Sequence, residues 1–202
     1  MTGTQNLLSM VKDRLSEKRF LHTVSVAKCA VELSEFCGLD SKFEAEIASL
    51  LHDITKEFSF DEQMQIIRDK KIPLDKEDFD SVGVLHSFTA PFVIISDFPE
   101  YATEKVLSAV KNHTLGAPDM SVLDEIVFLS DFIEDTRTYE ASVSLRQFVF
   151  SNMKKGQFSE NILVLHKACV KAIDATVINL IKNNKPINSK NILTRNALLS
   201  KI

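Results

Sequence analysis

Apolar residues recur three and four positions apart through most of the chain, and nowhere do they alternate long enough to suggest a strand. Leu7, Leu8, Val11 and Leu15 give residues 5–17 one apolar side, and Val24, Ala27, Val31 and Ser34 do the same along 19–37. Gly38 predicts the end of that second helix, because glycine tolerates the left-handed conformation that closes many helices. Ser41 with Glu44 reads as a capping box, opening a helix through Phe43, Ile47, Leu50 and Leu51 that ends in His52-Asp53. Ser59 with Glu62 is a second box, for a helix carrying Met64, Ile66 and Ile67 up to Lys71, where Ile72-Pro73 breaks it. Residues 78–96 form another helical run with His86 in its middle, and Phe98-Pro99 separates it from a helix over 101–112 that ends in His113. Gly116-Ala117-Pro118 is a turn, and Ser121 caps a helix with Leu123, Ile126, Val127 and Phe128. Asp131, Glu134 and Arg137 lie at or just beyond its end, and helices follow near 139–152, 158–183 and 190–200. The expected class is all-α, and the turn at Gly156 is the one candidate boundary.

Composition narrows the field. The 202 residues suffice for a substantial core, with 45% hydrophobic and 26% charged as in ordinary globular domains. A net charge of −4 provides no field for a nucleic-acid polymer, so an anionic substrate must be met by local positive charge. The first residues show neither a basic n-region nor an apolar h-region, and no stretch reaches the ~18 apolar residues of a membrane span. Cys29, Cys37 and Cys169 form an odd, scattered set with no CxxC pair, which predicts reduced, buried thiols in a cytoplasmic protein.

The candidate chemistry lies in six donors. His22, His52-Asp53, His86, His113 and Asp131 supply four imidazoles and two carboxylates beside apolar helical segments. Any one of these histidines alone reads best as a hydrogen-bonded core residue, since a half-satisfied buried ring is costly. Together they suit two transition ions bridged by a carboxylate, with open positions for water. His166 serves as the contrast. It has no acidic companion nearby in sequence, reads as a packing or surface residue, and with Cys169 offers two donors at most. Arg19 shares a helix face with His22, Lys56 follows Asp53 by three positions, Thr114 adjoins His113, and Glu134 and Arg137 follow Asp131 at steps of three. Lys56, Arg137 and Arg19 would form a cationic clamp on phosphate oxygens, or else ordinary surface salt bridges. Phe58, Phe60 and Tyr139 could stack on a base, although fourteen phenylalanines favour core packing.

On these residues the chain resembles the HD superfamily of metal-dependent phosphohydrolases, with its His…His-Asp…Asp pattern. Within it, the closer resemblance is to the YqeK-type symmetrical diadenosine tetraphosphate hydrolases. The matching stretches are Arg19-x-x-His22, Leu50 to Lys56, Leu85-His86, Asn112-His113-Thr114-x-Gly116 and Phe128 to Arg137, and Ile187 to Asn196 is similar to that group's tail. Ser130 stands where the group usually has alanine and Ser87 where it often has glycine; neither removes a donor.

The resemblance implies an all-helical HD bundle over residues 1–202, with a helical C-terminal extension from roughly 139. It implies a dinuclear centre of transition ions, commonly iron, with manganese or another divalent ion as the alternative. His22, His52, Asp53 and Asp131 would hold one ion, and Asp53 would bridge to a second held by His86 and His113. A bridging hydroxide would attack near the middle of the tetraphosphate and give two ADP. Lys56, Thr114, Arg137 and Arg19 would bind the phosphates, with Glu134 orienting Arg137 or a metal-bound water. The other readings are an HD nucleotidase or phosphatase acting on a different nucleotide, and a silent HD domain serving as a sensor. A Gly-Tyr-Pro type cyclic-dinucleotide phosphodiesterase is disfavoured, because no such tripeptide follows the His-Asp pair. The implied partner is a dinucleoside polyphosphate or nucleotide, with neither nucleic-acid polymer nor membrane, and a homodimer stays open.

Overall fold

The computed structural model describes residues 3–40 and 42–202, and its regular structure is helical, with no strand among those residues. The capping box at Ser41 lies outside the described residues. Eleven α-helices follow one another: α1 (Gly3–Lys12), α2 (Glu17–Cys37), α3 (Lys42–Leu51), α4 (Phe60–Asp69), α5 (Lys76–Asp80), α6 (Leu85–Asp97), α7 (Glu104–Asn112), α8 (Val122–Ile133), α9 (Glu140–Asn152), α10 (Phe158–Lys182) and α11 (Ser189–Leu199). No helix among the described residues is long and apolar enough to cross a membrane.

α8 is the axis of the bundle. All eight residues from Leu123 to Ser130 are buried, so this helix has no solvent face and must be surrounded. α2, α3, α7, α9 and α10 pack against it, and one cluster of buried residues runs from Leu7 to Leu198. Ser121 caps α8 as expected, with Asp124 completing a reciprocal box. Gly38 closes α2 in the left-handed conformation, its N–H donating to Ser34 O, and Ser59 with Glu62 forms the expected box on α4.

Three expectations need correction. The N-terminal helix stops at Lys12, not 17, because Ser16 is already the N-cap of α2. Its hydroxyl accepts from Arg19 N while Ser16 N and Oγ donate to the Glu57 carboxylate at 2.8 and 2.6 Å. The buried side of α2 is only partly as expected: Ala27 and Ser34 are buried, but Val24 and Val31 are only half-buried, and Thr23, Val26, Ala30 and Leu33 are wholly buried. Residues 78–96 are not one helix. α5 ends at Asp80, a 3-10 turn covers Val82–Val84, and α6 starts at Leu85, which puts His86 in a first helical turn. Gly83 and a polar 80–81 pair interrupt the apolar repeat there, so the chain can turn and aim His86 inward from a helix end.

Candidate active site

The His52-Asp53 pair sits where α3 unwinds into a series of turns, with Ile54 N donating to Leu51 O and Lys56 N to Asp53 O. Thr55 ties these turns down. Its hydroxyl donates to His86 O at 3.0 Å and lies 2.9 Å from the Thr89 hydroxyl on α6, while Gln63 of α4 donates to its carbonyl. The same contacts therefore position His52, Asp53 and His86 together. His113 caps the C-terminal end of α7, followed by a turn in which Gly116 has φ of +70°. A Cβ at Gly116 would come within 2.5 Å of Thr194 Cγ2, and Thr194 donates to Leu115 O, so α11 presses directly on the turn that carries His113 and Thr114.

These elements bring all six expected donors into one cluster. The rings of His22, His52, His113 and His86 form a row, with neighbouring centroids 5.5, 4.9 and 5.0 Å apart. Asp53 lies alongside and divides the row in two. Its Oδ2 faces His52 Nε2 (3.4 Å) and His22 Nε2 (3.8 Å), whereas its Oδ1 faces His86 Nε2 (3.2 Å) and His113 Nε2 (3.7 Å). Asp131 Oδ1 completes the first half, 3.0 Å from His22 and 3.9 Å from His52. Three overlapping donor groups result: His22, His52 and Asp53; His52, His113 and Asp131; and Asp53, His86 and His113, each with its donor atoms within 4.8 Å of one another.

Three of the four rings are oriented by acceptors behind them. His52 Nδ1 meets Ser49 O at 2.6 Å, His113 Nδ1 meets Val110 O at 2.6 Å, and His22 Nδ1 meets the Glu134 carboxylate at 3.1 Å. Carbonyls and carboxylates only accept, so each Nδ1 carries hydrogen and each Nε2 is turned toward Asp53 and Asp131, which is how metal-ligating histidines are oriented. His52 Nε2 is buried with no hydrogen-bond partner, although a buried polar atom without one is costly. Four imidazoles and two carboxylates with such an orphaned inward nitrogen fit transition ions. His86 differs. Lys56 Nζ lies 3.3 and 3.4 Å from its two ring nitrogens, and its Nε2 sits 3.0 Å from His113 Nε2 and 3.2 Å from Asp53 Oδ1.

The electrostatics show how tightly the carboxylates are held. Burial opposes ionisation of Asp53, yet His52, His113 and His86 outweigh it and keep the group well below the usual carboxylate range. Asp131 is likewise held down, against its burial, by His22, His52 and Arg137. Burial works against a charged His22, but hydrogen bonds to Asp131 and Glu134 raise its pKa to about 9; burial and His113 depress His86 to about 4 despite Asp53. Burial also lowers Lys56.

The flanking residues lie against the cluster. Arg19 reaches Asp53 Oδ2 at 2.6 Å, Arg137 reaches Asp131 Oδ1 at 2.7 Å, and Thr114 Oγ1 lies 2.9 Å from His113 Nε2 and 3.3 Å from His86 Nε2. Phe60 and Tyr139 are exposed, and Tyr139 borders a cavity of about 560 Å³ together with Arg19, His22, Glu134 and Arg137. One residue escaped the sequence reading. Arg146 of α9 donates to Ile133 O, Glu134 O and Arg137 O at 2.6–2.8 Å, which fixes the loop bearing Glu134 and Arg137. A lone arginine on a later helix carries no signal of such a role.

His166 stays outside the cluster, but it does have an acidic companion. Its Nδ1 lies 2.6 Å from Oε2 of buried Glu125 on α8, and Lys201 Nζ reaches the other oxygen at 2.9 Å. The partner is forty-one positions away in sequence and comes from a different helix. His166→Ala should therefore cost about 1–3 kcal/mol, the scale of a lost buried partner, and leave metal content and turnover untouched. Denaturant midpoints and elemental analysis check this; loss of metal would bring His166 into the site. All three cysteines are free and buried, and burial raises Cys29 and Cys37 to about 12. Iodoacetamide at pH 8 should leave them unlabelled in the native protein and label all three after unfolding. Rapid native labelling of any of them would contradict that packing.

This helical bundle with its His and Asp cluster matches the HD domain model over residues 19–135, and the chain belongs to the HD domain family. Among curated proteins it is 31% identical to the symmetrical bis(5'-nucleosyl)-tetraphosphatase of Bacillus subtilis, over 97% of each chain. It is 30% identical to the protein of the same name from Halalkalibacterium halodurans, over 95% of each chain. A crystal structure from Clostridium acetobutylicum, described as a predicted HD superfamily hydrolase involved in NAD metabolism, aligns over the full length of both chains with a TM-score of 0.85 and 25% identity.

Proposed function

We propose that this chain hydrolyses diadenosine tetraphosphate symmetrically to two ADP. The observation that carries the reading is Asp53, one carboxylate whose two oxygens face two separate histidine pairs. The names of the Bacillus and Halalkalibacterium relatives support the substrate. His22, His52, Asp53 and Asp131 would hold one ion, and Asp53, His86 and His113 a second, with iron or manganese suited to the donor set. Ions bound there would supply Lewis-acid charge beside the phosphates and lower the pKa of a bound water. Water adds to an inner phosphorus, the bond to the central bridging oxygen breaks, and that oxygen leaves on the second ADP.

The chain's own residues bind and orient. Arg137 and Arg19 border the cavity beside His22 and neutralise phosphate oxygens, while each also holds a carboxylate of the cluster in place. Lys56 and Thr114 sit on the His86–His113 side, within reach of phosphate lying over that half. Glu134 fixes His22 and leaves its remaining oxygen to the Thr136 N–H, so it acts by orienting a ring. Arg137→Ala and Lys56→Ala should each lower kcat by about two to three powers of ten with metal content intact, the scale of one preorganised charge contact. Unchanged rates in both variants would return the two residues to surface salt bridges.

The activity is tested by screening iron- or manganese-loaded protein against dinucleoside polyphosphates, mononucleotides and NAD. NAD enters because of the description of the Clostridium protein. The expected result is the highest kcat/KM on diadenosine tetraphosphate. A preference for a mononucleotide or NAD would overturn the proposal in favour of a different nucleotide hydrolase.

A further inference from the structure

Two cavities flank the histidine row on opposite sides, and they are unlike each other. The first, of about 560 Å³, opens beside His22 and Asp131's partner Arg137 and is bordered by Lys18, Arg19 and Arg137. The second, of about 450 Å³, begins at Thr114, whose hydroxyl touches both His86 and His113. Val82, Val84, Leu115, Leu180 and Pro186 make its walls largely apolar, and Lys185 is the single cationic residue of its lining, opposed by Asp80. Its near wall, the 3-10 turn at Val82–Val84, is clipped to the site by Lys56 Nζ donating to Gly83 O at 3.2 Å.

Resting on the function proposed above, we infer that this second cavity is the binding site for the second nucleoside of the substrate. A tetraphosphate lying along the histidine row must project one nucleoside toward each end of it. The cations border the first cavity, so the phosphates have little to hold them in the second, whereas a neutral base and ribose suit apolar walls. Its volume falls within the ~300–1,000 Å³ typical of small-molecule sites. Asn191, almost fully buried, also lines it and brings an amide that both donates and accepts, as the edge of a purine requires.

The far wall is built in advance. The segment before α11 is fastened to α5 by Asn188 Nδ2 donating to Asp78 Oδ1 at 2.8 Å and by Lys190 Nζ donating to both oxygens of the same buried carboxylate at 2.9 and 2.8 Å. Burial opposes its charge, but Lys190 and Asn188 keep Asp78 ionised below the usual range. Residues 176–191 lie beyond the stretch matched by the HD domain model, so the inference gives this C-terminal part a recognition role: it makes a phosphohydrolase core selective for a substrate with two nucleoside ends.

The test compares diadenosine tetraphosphate with adenosine 5'-tetraphosphate, which keeps the same inner anhydride bond and lacks the second nucleoside; its cleavage there gives ADP and pyrophosphate. Wild-type protein should favour the dinucleoside in KM by about tenfold or more. Leu180→Trp, which fills the cavity, should raise KM for the dinucleoside to the level of adenosine tetraphosphate with metal content retained. Ile178→Trp places the same bulk on the exposed side of α10, away from the cavity, and should leave the KM ratio as in wild type. A ratio unmoved by Leu180→Trp, while wild type still makes ADP from the dinucleoside, overturns this inference alone. Wild-type protein that makes no ADP overturns the proposed function and this inference with it. If Leu180→Trp does not fold, Val84→Phe at the opposite wall is expected to give the same shift, and an unmoved ratio there counts equally against the site.

Discussion

Asp53→Ala is expected to strip the protein of both transition ions and to lower diadenosine tetraphosphate hydrolysis by on the order of four powers of ten, equivalent to about 5.4 kcal/mol of barrier. Each half takes a different oxygen of this one carboxylate. Asp53 Oδ2 faces the His22–His52 pair and Oδ1 the His86–His113 pair, and the carboxylate also anchors Arg19. Removing it leaves four imidazoles facing one another around Asp131 alone, a donor set with too little negative charge for two cations. The fold should survive, because the turns after α3 are held by Thr55 and Gln63 and not by Asp53. Elemental analysis, kinetics and circular dichroism on one preparation check this, and a variant that keeps two ions or turns over within tenfold of wild type would contradict the bridging role.

The second large effect separates a dinuclear centre from a minimal HD site. The minimal pattern needs His22, His52, Asp53 and Asp131, and would leave His86 and His113 as packed histidines. On the dinuclear reading, His86→Ala removes about one ion per chain and lowers turnover by about three powers of ten, because the water loses one of its two cations. His166→Ala is the matched comparison: a buried histidine with a carboxylate partner and no place in the cluster. If His86→Ala keeps its full metal complement and turns over like His166→Ala, the second ion site does not exist.

Much of this site was legible in the sequence because its donors mark themselves. His-Asp at the end of an apolar helix, three further histidines beside apolar runs and Asp131 on α8 all lie in the cluster. Arg19 was placed correctly because a spacing of three fixes a shared helix face with His22. What stayed hidden were contacts between elements distant in sequence, which no local pattern encodes. Glu125 meets His166 across α8 and α10, and Arg146 reaches back from α9 to three carbonyls. The break between α5 and α6 was missed for a different reason. The apolar residues on both sides of it keep helical spacing, and only Gly83 and the short polar pair before it betray the turn. The partly missed face of α2 has a physical cause too: small residues such as Thr23 and Ala30 are buried while Val24 and Val31 are only half-buried, so hydrophobicity alone does not mark the face.

The account rests on where the substrate is cut. Metal-loaded protein incubated with diadenosine tetraphosphate, with products separated by ion-exchange chromatography at early times, tests it most directly. Attack at an inner phosphorus with departure of the central bridging oxygen gives ADP as the sole nucleotide product, in a ratio of two per substrate consumed. ATP and AMP in equal amounts would contradict it and place the scissile bond one phosphate away from the centre.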